Sequence, residues 1–243
     1  MKKVIMCYLS LEVLGLTCDY FFENIIPLYH IWLTYIIEFM VALIICHIVL
    51  QPFEKIKLSK TKYEVIPSIL VFSICLSMLG SKFIHLLALK IPKNVQHLPS
   101  TQFFILSVFI APLAEEFFFR HFLLGYLLKI NHQKKYLIVV MFTAFLFGLT
   151  HWTSGYGIMT FAFILGIGYG LIYAYTNDIK LCILCHFCNN LIVFLASLLP
   201  NRTSNVSNSS FISSMFIFLI MFFICIRLLS SLRSNYRENE ISK

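Results

Sequence analysis

Apolar runs of about twenty residues follow one another along this chain. That is the length a helix needs to cross the hydrocarbon core of a bilayer. Inside lipid every backbone N–H and C=O must be satisfied internally, which leaves a helix or a closed barrel. The runs lie at 4–22, 31–50, 64–80, 101–128, 136–152, 156–176, 179–199 and 211–232. They predict an all-α, polytopic transmembrane helix bundle of about eight spans. Composition agrees: 59% of the 243 residues are hydrophobic and 12% are charged, about half the charge of a soluble domain. The mean hydropathy is +0.85.

The net charge of +8 would suggest nucleic acid in a soluble protein. Here the cations fall beside apolar runs, so they read as orientation signals and no nucleic-acid partner is expected. Lys2 and Lys3, then Lys55, Lys57, Lys60 and Lys62, then Lys129, Lys134 and Lys135, then Arg227, Arg233, Arg237 and Lys243 all fall on one side of an eight-span chain. Lys82, Lys90, Lys93 and Arg202 are exceptions. The expectation is a multi-pass protein of the cell membrane with both termini cytoplasmic and a retained first span. The longest connection, 81–100, contains Pro92 and Pro99 and is placed at the interface. Eight cysteines lie almost wholly in apolar runs, where cysteine behaves as a small hydrophobe. The organisation expected is N-terminal transmembrane helices over 1–100, a catalytic core over 101–199, and a final helix with a cytoplasmic tail over 200–243.

Against this apolar background three polar clusters stand out. The fourth run reads Ala-Pro-Leu-Ala-Glu-Glu-Phe-Phe-Phe-Arg over 111–120. Left unpaired at a helix centre, Glu115, Glu116 and Arg120 would cost on the order of 8–10 kcal/mol. They must therefore face one another, neighbouring helices, or water. Glu116 and Arg120 are i,i+4 and share a face. Glu115 points about 100° away and is free to serve another partner. The fifth run ends in Phe147-Gly-Leu-Thr-His151, and the seventh contains His186-Phe-Cys-Asn-Asn190. His186 and Asn190 are again i,i+4. Ionisable groups on three helices point to a functional site. Gly166 and Gly170 form a GxxxG step, read as packing. Glu12, Asp19, Glu38, His47 and His85 are read as structural or interfacial.

Two other readings compete. Cys182-Ile-Leu-Cys185-His186 fits the CxxCH pattern of haem attachment, and Cys188 extends it to CxxCxxC. The motif, however, starts a span at the cytoplasmic face and lacks a fourth cluster cysteine nearby. A transporter would also bury acids and histidines, but it would show paired halves, and residues 1–100 carry no matching motif.

EExxxR, FxxxH and HxxxN, in this order on separate membrane helices, resemble the CPBP family of intramembrane proteases. That family includes CAAX prenyl endopeptidases and bacterial proteins linked to bacteriocin production or self-immunity. The matching residues are Glu115, Glu116 and Arg120, then Phe147 and His151, then His186 and Asn190. Ala-Pro before the acids, a glycine-bearing helix before the third motif, and Thr176 fit the same context. His121 stands where the family usually has glycine. The resemblance covers roughly residues 100–195.

It implies an endopeptidase acting on a membrane-associated peptide or protein, embedded in the lipid bilayer. Glu115 would take a proton from water and His151 would hold that water. His186 and Asn190 would donate to the oxyanion, with Glu116 and Arg120 in support. A divalent metal such as zinc is compatible with a Glu, His, His set; the sequence has no HExxH pattern and leaves the metal open. The alternative within the family is a non-catalytic immunity or binding protein. Counted from the expected cytoplasmic helix ends, Glu115 and His151 lie about 14–16 residues deep and His186 about 8, a gap of about 10 Å at 1.5 Å per residue.

Overall fold

The computed structural model describes residues 1–25, 30–50, 65–86, 101–131, 136–198 and parts of 213–231. Among these the regular elements are helical throughout, as the apolar runs predict. Helix α1 spans Lys2–Ile25, α2 His30–Val49 and α3 Ile66–Leu86. A continuous helical stretch, α4, covers residues 101–130. Then come α5 (Tyr136–Leu149), α6 (Tyr156–Thr176) and α7 (Ile179–Ser197). A last helical stretch, Leu219–Ser231, is described in part.

Among the described residues, three helices are both long and apolar enough to cross a membrane: Ile66–Ile84, Tyr156–Thr176 and Ile179–Ala196. Thr34–Val49, Tyr136–Leu149 and Leu219–Ser231 are apolar but shorter. The loop lysines Lys55, Lys57, Lys60, Lys62, Lys134 and Lys135, the 87–100 part of the long connection, the Asn-rich tract 201–210 and the tail after 231 lie outside the described residues. So do the side chains of Asp19 and His85.

The bundle is built around α4, α6 and α7. Helices α5 and α6 pack as a close antiparallel pair, and the Gly166–Gly170 step explains how. A Cβ on Gly166 would meet Ala144 and Phe147 at 3.0–3.2 Å, and one on Gly170 would meet Val140 at 2.9 Å. The small residues thus bring two backbones together, where dispersion and close packing do the work that hydrophobic burial does in water. Helix α3 packs on α6 and α7, and a Cβ on Gly168 would strike the Leu76 side chain of α3. Helices α1 and α2 form a second antiparallel pair, and α2 leans on the Phe117–Leu124 part of α4. Large apolar side chains such as Ile44, Ile138 and Phe223 point outward, as a lipid-facing surface requires.

Helix α4 is not a regular α-helix. Leu106–Ile110 and Phe117–Leu124 are π-helical, on either side of the α-helical Ala111–Glu116. The cause of the first irregularity can be read locally. Ala111 N–H bonds to the Leu106 carbonyl, five residues back, instead of to Ser107. Pro112, which stands five residues after Ser107, has no N–H to give. The Ser107 carbonyl is thereby denied both its α and its π donor. Such π turns are uncommon and gather at functional sites.

Candidate active site

The cluster forms where α4, α5, α6 and α7 meet. Glu116 and Arg120 pair as their spacing predicts, Nη1 to Oε1 at 3.1 Å, with both side chains buried. The approach is an ion contact rather than a well-directed hydrogen bond, and Glu116 Oε2 has no hydrogen-bond partner among the described residues. Arg120 is held further by Nη2 donating to the Gly166 carbonyl at 3.2 Å. Its guanidinium lies 4.5 Å from the Phe147 ring centre and 5.1 Å from that of Tyr169. Aromatic faces attract a desolvated cation, and Phe119 adds a third ring at 5.9 Å, so the arginine's cost in this setting is offset by one carboxylate, one carbonyl and three rings.

His186 completes the arrangement. Its Nδ1 lies 2.8 Å from Glu116 Oε1 and its Nε2 lies 3.8 Å from Glu115 Oε2. A carboxylate only accepts, so Nδ1 carries the proton and donates to Glu116. In the neutral ring Nε2 then presents a lone pair toward Glu115; in the imidazolium it presents N–H. The Nε2–Oε2 separation is too long for a direct hydrogen bond, and a water within reach of both atoms would bridge it. Tyr169 stacks on the imidazole, with centroids 4.7 Å apart and planes 23° apart. Its hydroxyl accepts from Asn189 Nδ2 at 2.9 Å, and Ser77 Oγ of α3 donates to Asn189 Oδ1.

Glu115 has its own partners, as the 100° offset predicts. Tyr35 of α2 donates its hydroxyl to Oε1 at 2.9 Å, while Oε2 faces His186. His151 and His186 both contact the Phe147 ring edge-on, with centroids 5.2 Å and 5.8 Å from it. His151 Nδ1 donates to the Phe147 carbonyl at 3.0 Å and contacts Thr150 Oγ1 at 3.1 Å. That hydrogen bond leaves Nε2 as the acceptor in the neutral ring. Phe147 is thus the ring around which Arg120, His151 and His186 are arranged, which gives the first position of the FxxxH motif a physical reason.

Asn190 is turned toward α4, where its Nδ2 donates to the Ser107 carbonyl at 2.7 Å. It supplies the hydrogen bond that Pro112 withholds. An amide nitrogen carries two N–H donors, and this bond uses one of them.

The expected depth gap between His186 and Glu115 is absent. His186 Nε2 comes within 3.8 Å of Glu115 Oε2. At the α6–α7 turn Thr176 and Asp178 are buried within the protein, and Asp178 Oδ1 caps α7 by accepting from Lys180 N at 3.0 Å. Asn177 takes the left-handed conformation this tight turn needs, at φ 50°, one that Asn tolerates better than most residues.

Sequence reasoning did not single out Tyr35, Tyr169, Asn189 or Ser77. Tyr35 and Ser77 lie in residues 1–100, where no motif pointed. Asn189 adjoins Asn190, so the Asn-Asn pair could have drawn attention to both. Cys182 and Cys185 are wholly buried, and Cys182 Sγ donates to the Tyr169 carbonyl at 3.5 Å. They pack the α6–α7 contact.

A metal held by Glu115, His151 and His186 would need these groups drawn around one point. Among the described residues no three His, Cys, Asp or Glu side chains are grouped so as to hold a metal ion. In this arrangement Glu115, His151 and His186 do not form the zinc set.

A helical bundle that buries two carboxylates, a guanidinium and an imidazole among apolar helices is that of a membrane protein with a buried polar cluster. Residues 97–192 match the protein family described as Type II CAAX prenyl endopeptidase Rce1-like, so over somewhat less than half its length this chain is similar to a family of membrane proteases. The matched stretch contains all three motifs, in agreement with the CPBP resemblance. No curated protein and no solved structure matches the chain.

Proposed function

We propose that this protein is an intramembrane endopeptidase in which Glu115 activates water against a peptide bond of a membrane-associated peptide or protein. The observation that carries the reading is the placement of Glu115: a buried carboxylate with one oxygen held by Tyr35 and the other facing His186 Nε2. Water between Glu115 Oε2 and His186 gives its proton to Glu115, and its oxygen attacks the scissile carbonyl carbon. The carbonyl π pair moves onto oxygen. When the tetrahedral intermediate collapses, the C–N bond breaks and Glu115 returns the proton to the leaving amine. His151, with Nε2 available as acceptor, is not grouped with Glu115 and His186 among the described residues and would hold this water only after moving toward them. The oxyanion is met by His186 Nε2–H in the imidazolium form and by the second N–H of Asn190. Such preorganised donors are worth about 10²–10³ in rate each. Glu116 and Arg120 support the site: Glu116 holds the His186 ring through Nδ1 and Arg120 balances the Glu116 carboxylate.

The chain is further proposed to cross the cell membrane about eight times with both termini cytoplasmic, the catalytic core being 101–199. A reporter fused after Lys243 tests the orientation; activity of an external-side reporter there overturns it. Cleavage itself is tested with purified protein in liposomes, comparing wild type and Glu115→Gln on a library of membrane-inserted peptides read by mass spectrometry. Hydrolysis by wild type alone supports the enzyme. Normal biological activity of Glu115→Gln at normal protein level would favour the immunity or binding alternative.

A further inference from the structure

The geometry points to Tyr35, on a helix outside the family-matching segment, as a positioning residue that fixes which oxygen of Glu115 meets the water. The inference rests on the reading of Glu115 as the base. Its hydroxyl donates to Oε1 at 2.9 Å, a charge-assisted bond that holds the carboxylate plane. With Oε1 committed, Oε2 is the oxygen left facing His186 Nε2. A general base must present its lone pair to the proton it removes, and a carboxylate free to rotate about its last torsion spends little time doing so.

Tyr35 is itself held in place. Its ring packs against Phe39 with centroids 4.6 Å apart, and Phe39 meets Phe118 of α4 edge-on at 6.2 Å. Phe39 and Phe118 are buried. The hydroxyl is therefore aimed by an aromatic stack that bridges α2 to the very part of α4 that follows the two acids. This gives the α1–α2 pair a role in the chemistry: α2 carries a group that reaches the reacting residue. His151 and His186 are each oriented through Nδ1 by a neighbouring oxygen, and Tyr35 does for the carboxylate what those bonds do for the imidazoles.

The test uses the full chain in liposomes with the same membrane-inserted peptide library. Tyr35→Phe keeps the ring and the stack and removes only the donor. A hydrogen bond to a charged group contributes enough that its loss should lower kcat by about ten- to a hundredfold. KM should change by no more than about twofold, since the lost contact is not to substrate. Tyr156→Phe, whose ring is exposed, should leave kcat unchanged. A second measurement stands apart from turnover. The infrared difference between wild type and Glu115→Gln isolates the Glu115 carboxylate bands, and Tyr35→Phe should move them. Incorporating 3-fluorotyrosine at position 35, which keeps the hydroxyl but makes it a stronger donor, should move them with the fold undisturbed.

A fall in kcat with shifted bands supports the proposal. An unchanged kcat, or a lowered kcat with unmoved bands in both variants, overturns it. If wild type cleaves none of the peptides, the endopeptidase reading fails. The infrared bands then decide the Tyr35–Glu115 contact by themselves: shifted bands uphold it and unmoved bands overturn it.

Discussion

Helix α6 runs from Tyr156 to Thr176 without a charged side chain, whereas α4 carries Glu115, Glu116, Arg120 and Lys129 over residues 101–130. Helix α6 is a regular α-helix. Helix α4 passes through two π-helical segments that flank the acids. Both are packed into the same core. The difference shows how the bundle divides its tasks. The neutral helix gains stability from glycines that bring backbones together, and it offers the Gly166 carbonyl and the Tyr169 ring to Arg120. The charged helix gives up regular hydrogen bonding near Pro112 and relies on side chains from α2 and α7 to satisfy what it exposes. Close backbone packing is concentrated in one element and ionisable side chains in the other.

This contrast can be broken first at its chemical end. Glu115→Gln should lower hydrolysis by about 10²–10⁴, the range a positioned general base contributes, while leaving the protein folded and inserted. Single-turnover cleavage alongside protein level in membranes checks both halves. Glu116→Gln and Arg120→Ala should act differently, because each strands a buried charge. Breaking a buried pair costs about 3–5 kcal/mol, so lower protein level and a lower unfolding temperature in detergent should accompany lost activity. If either variant were as stable as wild type, the ion pair would not be what secures α4.

At the packing end, Gly170→Leu should cost about 1–3 kcal/mol by forcing α5 and α6 apart at Val140. The fall should appear in thermal unfolding, with turnover per folded molecule less affected than in the Glu115 variant. Pro112→Ala sharpens the comparison. It restores an N–H that can reach back along α4, releasing Asn190 from Ser107. Turnover should drop by about tenfold if Asn190 must be anchored to do its work, roughly the net value of one hydrogen bond. Unchanged turnover would mean that the anchor is structural only. The smallest effects are expected at Cys182→Ser and Cys185→Ser, which fill packed space. Activity within about twofold of wild type is the expected outcome. Covalent haem or a cluster absorbance on the purified protein would reverse that reading.

The sequence by itself determined the class of fold and the identity of the charged cluster. Runs of apolar residues can bury their backbone polar groups in lipid only as helices or a closed barrel, and the lengths chose helices. Glu115, Glu116 and Arg120 could not stand alone among those runs, so their pairing was legible. The i,i+4 step of Glu116 and Arg120 and the 100° offset of Glu115 follow from helix geometry alone. What the tertiary structure decided is who meets them. Helical spacing carries no information across helices, so nothing in the motifs could say that Tyr35 would reach Glu115, that Glu116 would take His186 Nδ1, or that Tyr169 would lie against both Arg120 and His186. Depth was illegible for the same reason. A count along α7 from an assumed surface could not say that His186 Nε2 comes within 3.8 Å of Glu115 Oε2. Asn190 shows the limit most clearly: its place beside His186 was readable from spacing, but its bond to Ser107 depends on a proline some eighty residues away on another helix.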